Sequence, residues 1–313
     1  MKKRYLILAL FCCTQLAAHP GTGIVKDSKD NIYYTDLSKV WKRTADGRTS
    51  VVVSGVHTHE LFMDNRDNLF GEHLWYTGET SNRWLFYYWT LHADGLFQKL
   101  GRDTEGFNRP FSFARDSMGR HYDKRKWKDS YELYRTQKDG TVEVMGQGAF
   151  KEVTWLYCTE GGTLYFVDHD KVYQLKNGQI KLLAAHLIDK TPLFGWMDDR
   201  LSLYGLWTDA AENVYVAVLS GQTIKKITPD GSVSTIYQSK SDWSPIGGVF
   251  DSKGNLWVME TSKTNAVQVL KVEKAEIKKS EMPLSVVLPC LVVLLVVIAV
   301  SLFIENRRST QPQ

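Results

Sequence analysis

The chain has 313 residues, with 39 Lys and Arg against 35 Asp and Glu for a formal charge of +4, and 12% of it is aromatic. Setting aside the terminal Lys2, Lys3, Arg4, Glu305, Arg307 and Arg308 leaves 34 basic and 34 acidic residues. That balance, with no Lys/Arg stripe, excludes nucleic acid as a partner, because such binding rests on phosphate neutralisation.

The first element is Lys2-Lys3-Arg4, the apolar run Tyr5 to Cys13, and Leu16-Ala17-Ala18, which is the layout of a cleavable secretory signal over residues 1–18. The apolar run is too short to span about 30 Å of hydrocarbon as a helix. Bulky Phe11 before Cys12 disfavours a lipoprotein signal.

From residue 19 to 274 one phrase recurs: a strand, a polar turn closed by Asp, a second strand rich in β-branched and aromatic residues, and a third strand. The six copies close their first strands at Asp27, Asp64, Asp116, Thr159, Asp209 and Asp251. Asp46-Gly47, Asp94-Gly95, Asp139-Gly140, Asn177-Gly178 and Asp230-Gly231 follow the third strands of five copies. They predict two-residue hairpins into short fourth strands. The sixth copy has no such dipeptide, so its blade is expected to hold three strands. Six units that cannot bury their faces alone close radially, which makes the fold class all-β, a six-bladed β-propeller. Nothing in the sequence shows how the ring is latched.

Residues 275–283 form a charged stalk, and Leu284 to Ile304 is an uncharged, Val- and Leu-dominated run read as one C-terminal transmembrane helix. With a cleaved signal the propeller is extracytoplasmic, at the periplasmic face or cell surface, and residues 305–313 are a cytoplasmic tail. The membrane is therefore an expected partner, beside an unidentified small-molecule or protein ligand. Cys12 and Cys13 lie in the signal and Cys290 in the span, so Cys158 is alone and the domain has no internal disulfide; as a strand residue it reads as a buried thiol. The aromatic run Trp84 to Trp89 reads as packing between blades.

In an antiparallel meander the start of strand one and the end of strand two lie at one face of the ring. Nine positions after each anchor come Asp36, His73, Arg125, Asp168, Val218 and Glu260. The second copy adds His57, His59 and Glu60, and Glu60 takes a place where other blades have Gly, Ser or Trp. Three His and two Glu at one corner of the channel mouth are enough to hold a divalent metal such as zinc, manganese, calcium or magnesium through His57, His59 and His73. The same residue types serve equally as a buried polar network or as solvated groups at a rim.

The phrases Gly23-Ile-Val-Lys-Asp27-Ser28 to Asp36 and Gly247-Gly-Val-Phe-Asp251-Ser252 to Val258 resemble NHL repeats and the six-bladed propellers of the gluconolactonase and streptogramin-lyase type. The resemblance covers nearly the whole exported domain. It implies the propeller fold, and for chemistry it implies a lactonase or a lyase. A gluconolactonase-like propeller carries an axial Glu in its first blade, where this chain has Gly23, so that ligand set is not in register. Streptogramin-lyase-like propellers place His and Glu at the mouth, which His57, His59, Glu72 and His73 match in type.

Two functions follow as expectations. One is a membrane-anchored propeller that binds a ligand or protein through its polar His/Glu-rich mouth. The other is a metal-dependent lyase or hydrolase in which Glu60 or Glu72 is the base and Arg109 or Arg125 steadies an anionic substrate.

Overall fold

A computed structural model describes residues 21–76, 84–105, 113–147, 150–274 and 277. The signal, most of the stalk, the apolar run 284–304, the tail and Arg109 lie outside the described residues. The rest is a ring of six antiparallel sheets. Blade 1 is β1 (Ile24–Lys26), β2 (Ile32–Thr35), β3 (Lys39–Arg43) and β4 (Thr49–Ser54); blade 2 is β5 (Leu61–Met63), β6 (Leu69–Tyr76), β7 (Trp84–Leu91) and β8 (Phe97–Glu105). Blade 3 is β9 (His121–Trp127), β10 (Ser130–Thr136) and β11 (Val142–Gln147), with Arg115 joined to His121 by an isolated bridge on the inner side. Blade 4 is β12 (Val153–Cys158), β13 (Leu164–Asp168), β14 (Lys171–Lys176) and β15 (Gln179–Ala184). Blade 5 is β16 (Leu203–Thr208), β17 (Val214–Val218), β18 (Thr223–Ile227) and β19 (Val233–Gln238); blade 6 is β20 (Trp243–Phe250), β21 (Leu256–Ser262) and β22 (Val267–Val272), three strands as expected.

The recurring Asp has a structural purpose. Asp27 Oδ1 accepts from the amides of Lys29 and Asn31 (3.0 and 2.8 Å), and Oδ2 accepts from Asn31 Nδ2 and Tyr33 Oη (2.6 and 3.2 Å). Asp209 with Asn213 and Tyr215, and Asp251 with Asn255 and Trp257, repeat the pattern. One carboxylate thus satisfies the turn's backbone donors and ties strand two to strand one, the preferred use of Asp in turns.

The hairpins correct one expectation. Only Asn177-Gly178 is a two-residue turn, with both φ positive (52° and 74°) between paired Lys176 and Gln179. At the four Asp-Gly sites the turn is one residue longer. The Gly47 amide, for instance, bonds the Thr44 carbonyl, and the Thr44 amide bonds the Arg48 carbonyl. Gly47 alone has the positive φ (92°). This is a three-residue loop ending in a glycine bulge.

The ring closes without strand exchange among the described residues. Ser28 of blade 1 donates its amide and hydroxyl to Asp67 of blade 2 (2.8 and 2.6 Å). Ser252 of blade 6 does the same to Asp30 of blade 1, with the amide at 2.9 Å and a shorter hydroxyl bond. Arg43 adds a bond to the Val269 carbonyl at 3.1 Å and lies over Trp257. Inside the ring, glycines allow neighbouring inner strands to touch: a Cβ on Gly247 would sit 2.9 Å from the Thr22 carbonyl oxygen. Trp89 is fully buried and lies on Gly71, and Cys158 is buried, its thiol pushed up to about 12 by burial.

Candidate functional site

The inner strands of the blades enclose a channel of about 540 Å³. Glu60 lines it just before β5, at the place where blades 1, 5 and 6 have Gly23, Gly205 and Gly247. The glycines are there for contact, because a Cβ on Gly205 would meet the Ile246 carbonyl oxygen at 2.6 Å. Blade 2 therefore departs from the repeat by putting a carboxyl into this wall.

Glu60 rests on Glu72, which projects from β6 and is fully buried. Trp89 Nε1 bonds the Glu72 carbonyl at 3.0 Å, and Thr58 Oγ1 donates to the same oxygen at 2.7 Å. The Glu72 carboxyl accepts at Oε1 from the amides of His59 (2.5 Å) and Glu60 (3.3 Å), while Oε2 is buried with no hydrogen-bond partner. Burial pushes Glu72 up to about 7 against the pull of those amides. For Glu60, burial and then the Glu72 charge push the carboxyl up to about 8; the Phe113 amide, 3.3 Å from Oε2, and the Lys124 charge oppose them.

Two residues from β9 complete the cluster. Lys124 Nζ donates to the Val153 carbonyl and, at 2.7 Å, to the Thr154 carbonyl, bridging blades 3 and 4. Burial draws it down to about 8, against the charges of Glu60, Asp123 and Glu152. Asp123 accepts the Lys124 amide at 2.6 Å and is pushed up to about 7 by burial. Three carboxyls and one amine thus titrate near neutrality in one corner of the ring, an arrangement that stores and exchanges protons.

The histidines are spent differently from the expected metal centre. His73 Nδ1 accepts the His57 amide at 3.0 Å, and its ring stacks on Tyr87 (4.8 Å). The His57 ring stands edge-on to His59 and Trp75 (4.8 and 5.0 Å). His59 lies 3.2 Å from Glu72 Oε1, and burial draws it down to about 4, so it is neutral. Among the described residues no three His, Cys, Asp or Glu side chains gather as a metal-holding group. The donor set around His57, His59 and His73 does not fit a metal ion.

Arg125 Nε pairs with buried Glu132 (2.7 Å) on the neighbouring β10, within its own blade. The other ninth-position residues are also structural. Asp36 takes Ser38, Lys39 and Trp41; Asp168 takes the amides of Lys151 and Glu152; Glu260 takes Tyr237, Ser239 and Gln268. The ionisable groups of the cluster that stand on second strands are at the eighth position, which holds Thr35, Glu72 and Lys124 in blades 1 to 3. Successive strand residues face opposite ways, so counting to the ninth passed over Lys124, while Asp123 shares the parity of Arg125. The eighth position was readable from the same alignment, because Glu and Lys stand there amid Val167, Ala217 and Met259.

No family model and no curated protein matches the chain. Solved structures do. A gluconolactonase from Xanthomonas campestris aligns at 16% identity over 82% of this chain and 88% of its own, with a TM-score of 0.53. A calcium-binding protein, regucalcin, from Agrobacterium tumefaciens aligns at 14% over 78% and 83%, with a TM-score of 0.50. A virginiamycin B lyase from Staphylococcus aureus aligns at 12% over 82% and 87%, with a TM-score of 0.47. At these identities the likeness establishes the six-bladed propeller and stops there.

Proposed function

We propose that this chain is a membrane-anchored, extracytoplasmic propeller that binds a small ligand in its central channel, with Glu60 as the polar contact on the wall. The observation that carries this is the placement of Glu60: where other blades have Gly, Ser or Trp, blade 2 presents a carboxyl, held largely protonated, to a space of ligand size. A protonated carboxyl donates as well as accepts, which suits hydroxyl- or carbonyl-bearing ligands. The export signal over 1–18 and the apolar run 284–304 support the anchored topology, with residues 305–313 inside; protease digestion of intact cells tests it, since a protected propeller would refute it.

A thermal-shift screen of sugars, lactones and small organic acids on the full chain in mild detergent tests the channel reading. Stabilisation by a compound, lost in Glu60→Gln, supports it. Hits indifferent to Glu60, or none at all, would sink it.

A second reading, a lyase or hydrolase, is favoured by the same carboxyl, because a group near 8 beside a lysine near 8 is suited to general acid–base work at neutral pH. The metal in that reading has no fitting donor set, so no step is assigned to one. Turnover with a bell-shaped pH profile that Glu60→Gln flattens would move it ahead.

A further inference from the structure

Two cations line the channel, Lys26 and Arg115. Lys26 is neutralised by Asp30 at 2.9 Å. Arg115 is not neutralised by any carboxylate among the described residues. The adjacent Asp116 is taken by Arg120 (2.5 Å) and by the amides of Met118 and Arg120. Instead the Arg115 guanidinium packs on three rings, with Phe62 and Phe113 at 5.7 Å and Phe70 at 5.9 Å. Those faces attract a cation but accept no directed hydrogen bond of ordinary strength. Its Nε is buried without a partner. Among the described residues of the channel wall no other cation is left in this condition, and a partly buried, unpaired charge is costly.

We propose that Arg115 is the anchor for the carboxylate of a small apolar acid bound in the channel, a proposal that rests on the channel reading above. The guanidinium presents a planar fork that matches a carboxylate with two parallel bonds. The wall beyond it is aromatic, with Phe62, Tyr157, Trp207 and Phe250, so the body of the ligand is apolar or aromatic. A phosphate dianion is disfavoured relative to a monoanion, because Asp27, Asp64, Asp67 and Glu160 share the same space and repel a doubly charged ligand about twice as strongly. Glu60, held protonated, does not repel a monoanion.

The test uses the full chain in a non-ionic detergent, with phenylacetate, indole-3-acetate and hexanoate, the amide of each, and inorganic phosphate as probes. Isothermal titration should show at least one acid binding roughly tenfold or more tightly than its amide, the contrast of a charge-assisted bond against a neutral one. Phosphate should fail to displace it. Arg115→Gln should bring that acid down to the level of its amide, and Arg115→Lys should keep part of the preference.

Should Arg115→Gln not fold, the acid–amide contrast on the unaltered chain decides. Acid and amide binding alike would overturn the role of Arg115 while leaving the channel reading in place. Tight phosphate binding would overturn the carboxylate assignment. No binding of any probe would count against both.

Discussion

Replacing Glu72 by Gln should make the protein less sensitive to alkaline pH. Glu72 has no solvent exposure, and its carboxyl moves from 4.5 to about 7 in the folded chain. The group is raised on folding, so its stabilising share is fully present below pH 4.5, declines as pH rises, and is lost once pH passes about 7. At 1.36 kcal/mol per pKa unit the loss is about 3 kcal/mol. For a domain of this size that is roughly 6 to 12 °C in melting temperature. Gln keeps the acceptor for the His59 amide and places its NH₂ where the buried oxygen has no partner, so it stands in for the protonated acid. Melting curves of both proteins by scanning calorimetry at half-unit steps from pH 4 to 8.5 should coincide near pH 4.5 and diverge above it, with the variant the more stable. Removing the Glu72 charge also relieves Glu60, which adds to the divergence in the same direction. Parallel curves across this window would show that Glu72 does not take up a proton on folding, and the proton-storing cluster would lose its basis.

Two further outcomes follow from packing. In Gly71→Ala the new Cβ would lie 2.1 Å from the Trp89 ring; the tryptophan must move, releasing its bond to the Glu72 carbonyl, and urea melts should show a loss of about 3 kcal/mol. Ser252→Ala removes one hydroxyl bond to Asp30 at the junction of blades 6 and 1, and should cost about 1 kcal/mol in the same assay; a change within error would mean that the Ser252 amide, Arg43 and the packing of β1 against β20 suffice to hold the junction.

The repeat was legible because its residues recur for a local reason. Asp27, Asn31 and Tyr33 form a self-contained turn, and wherever that trio returns the turn returns. The ring latch was not legible: Ser follows the anchor Asp in blades 1 and 6 and Asp stands three places after it in blades 1 and 2, but these residues become a latch only once it is known which blade lies beside which. Turn length was not readable from Asp-Gly alone. Gly supplies the positive φ in either loop, and the difference lies in whether the preceding residue also adopts it, as Asn177 does and Asp46 does not. Glu60 was legible because it stands where other blades have Gly, Ser or Trp, and Glu72 because it adjoins His73 in the second copy. The pairing of Arg125 with Glu132 was not readable, because Glu132 comes from the neighbouring strand and pairing across a sheet leaves no mark in the spacing of one strand.

The ring is also unequal from one half to the other, and this bears on where function resides. At the eighth position blades 4, 5 and 6 carry Val167, Ala217 and Met259, each without solvent exposure, and these blades supply most of the two large apolar clusters. Blades 1, 2 and 3 carry Thr35, Glu72 and Lys124 at the same depth. Burying an ionisable side chain costs stability that burying Val or Met does not, so Glu72 is held at a cost that Val167, Ala217 and Met259 do not carry. A ring shares its load: each blade is clamped by two neighbours, and an apolar half can hold a polar half in place. Such an arrangement fits a site that must keep carboxyls dry without losing the fold. Glu60 and Arg115, the two groups proposed to meet a ligand, belong to blades 2 and 3 of this polar half.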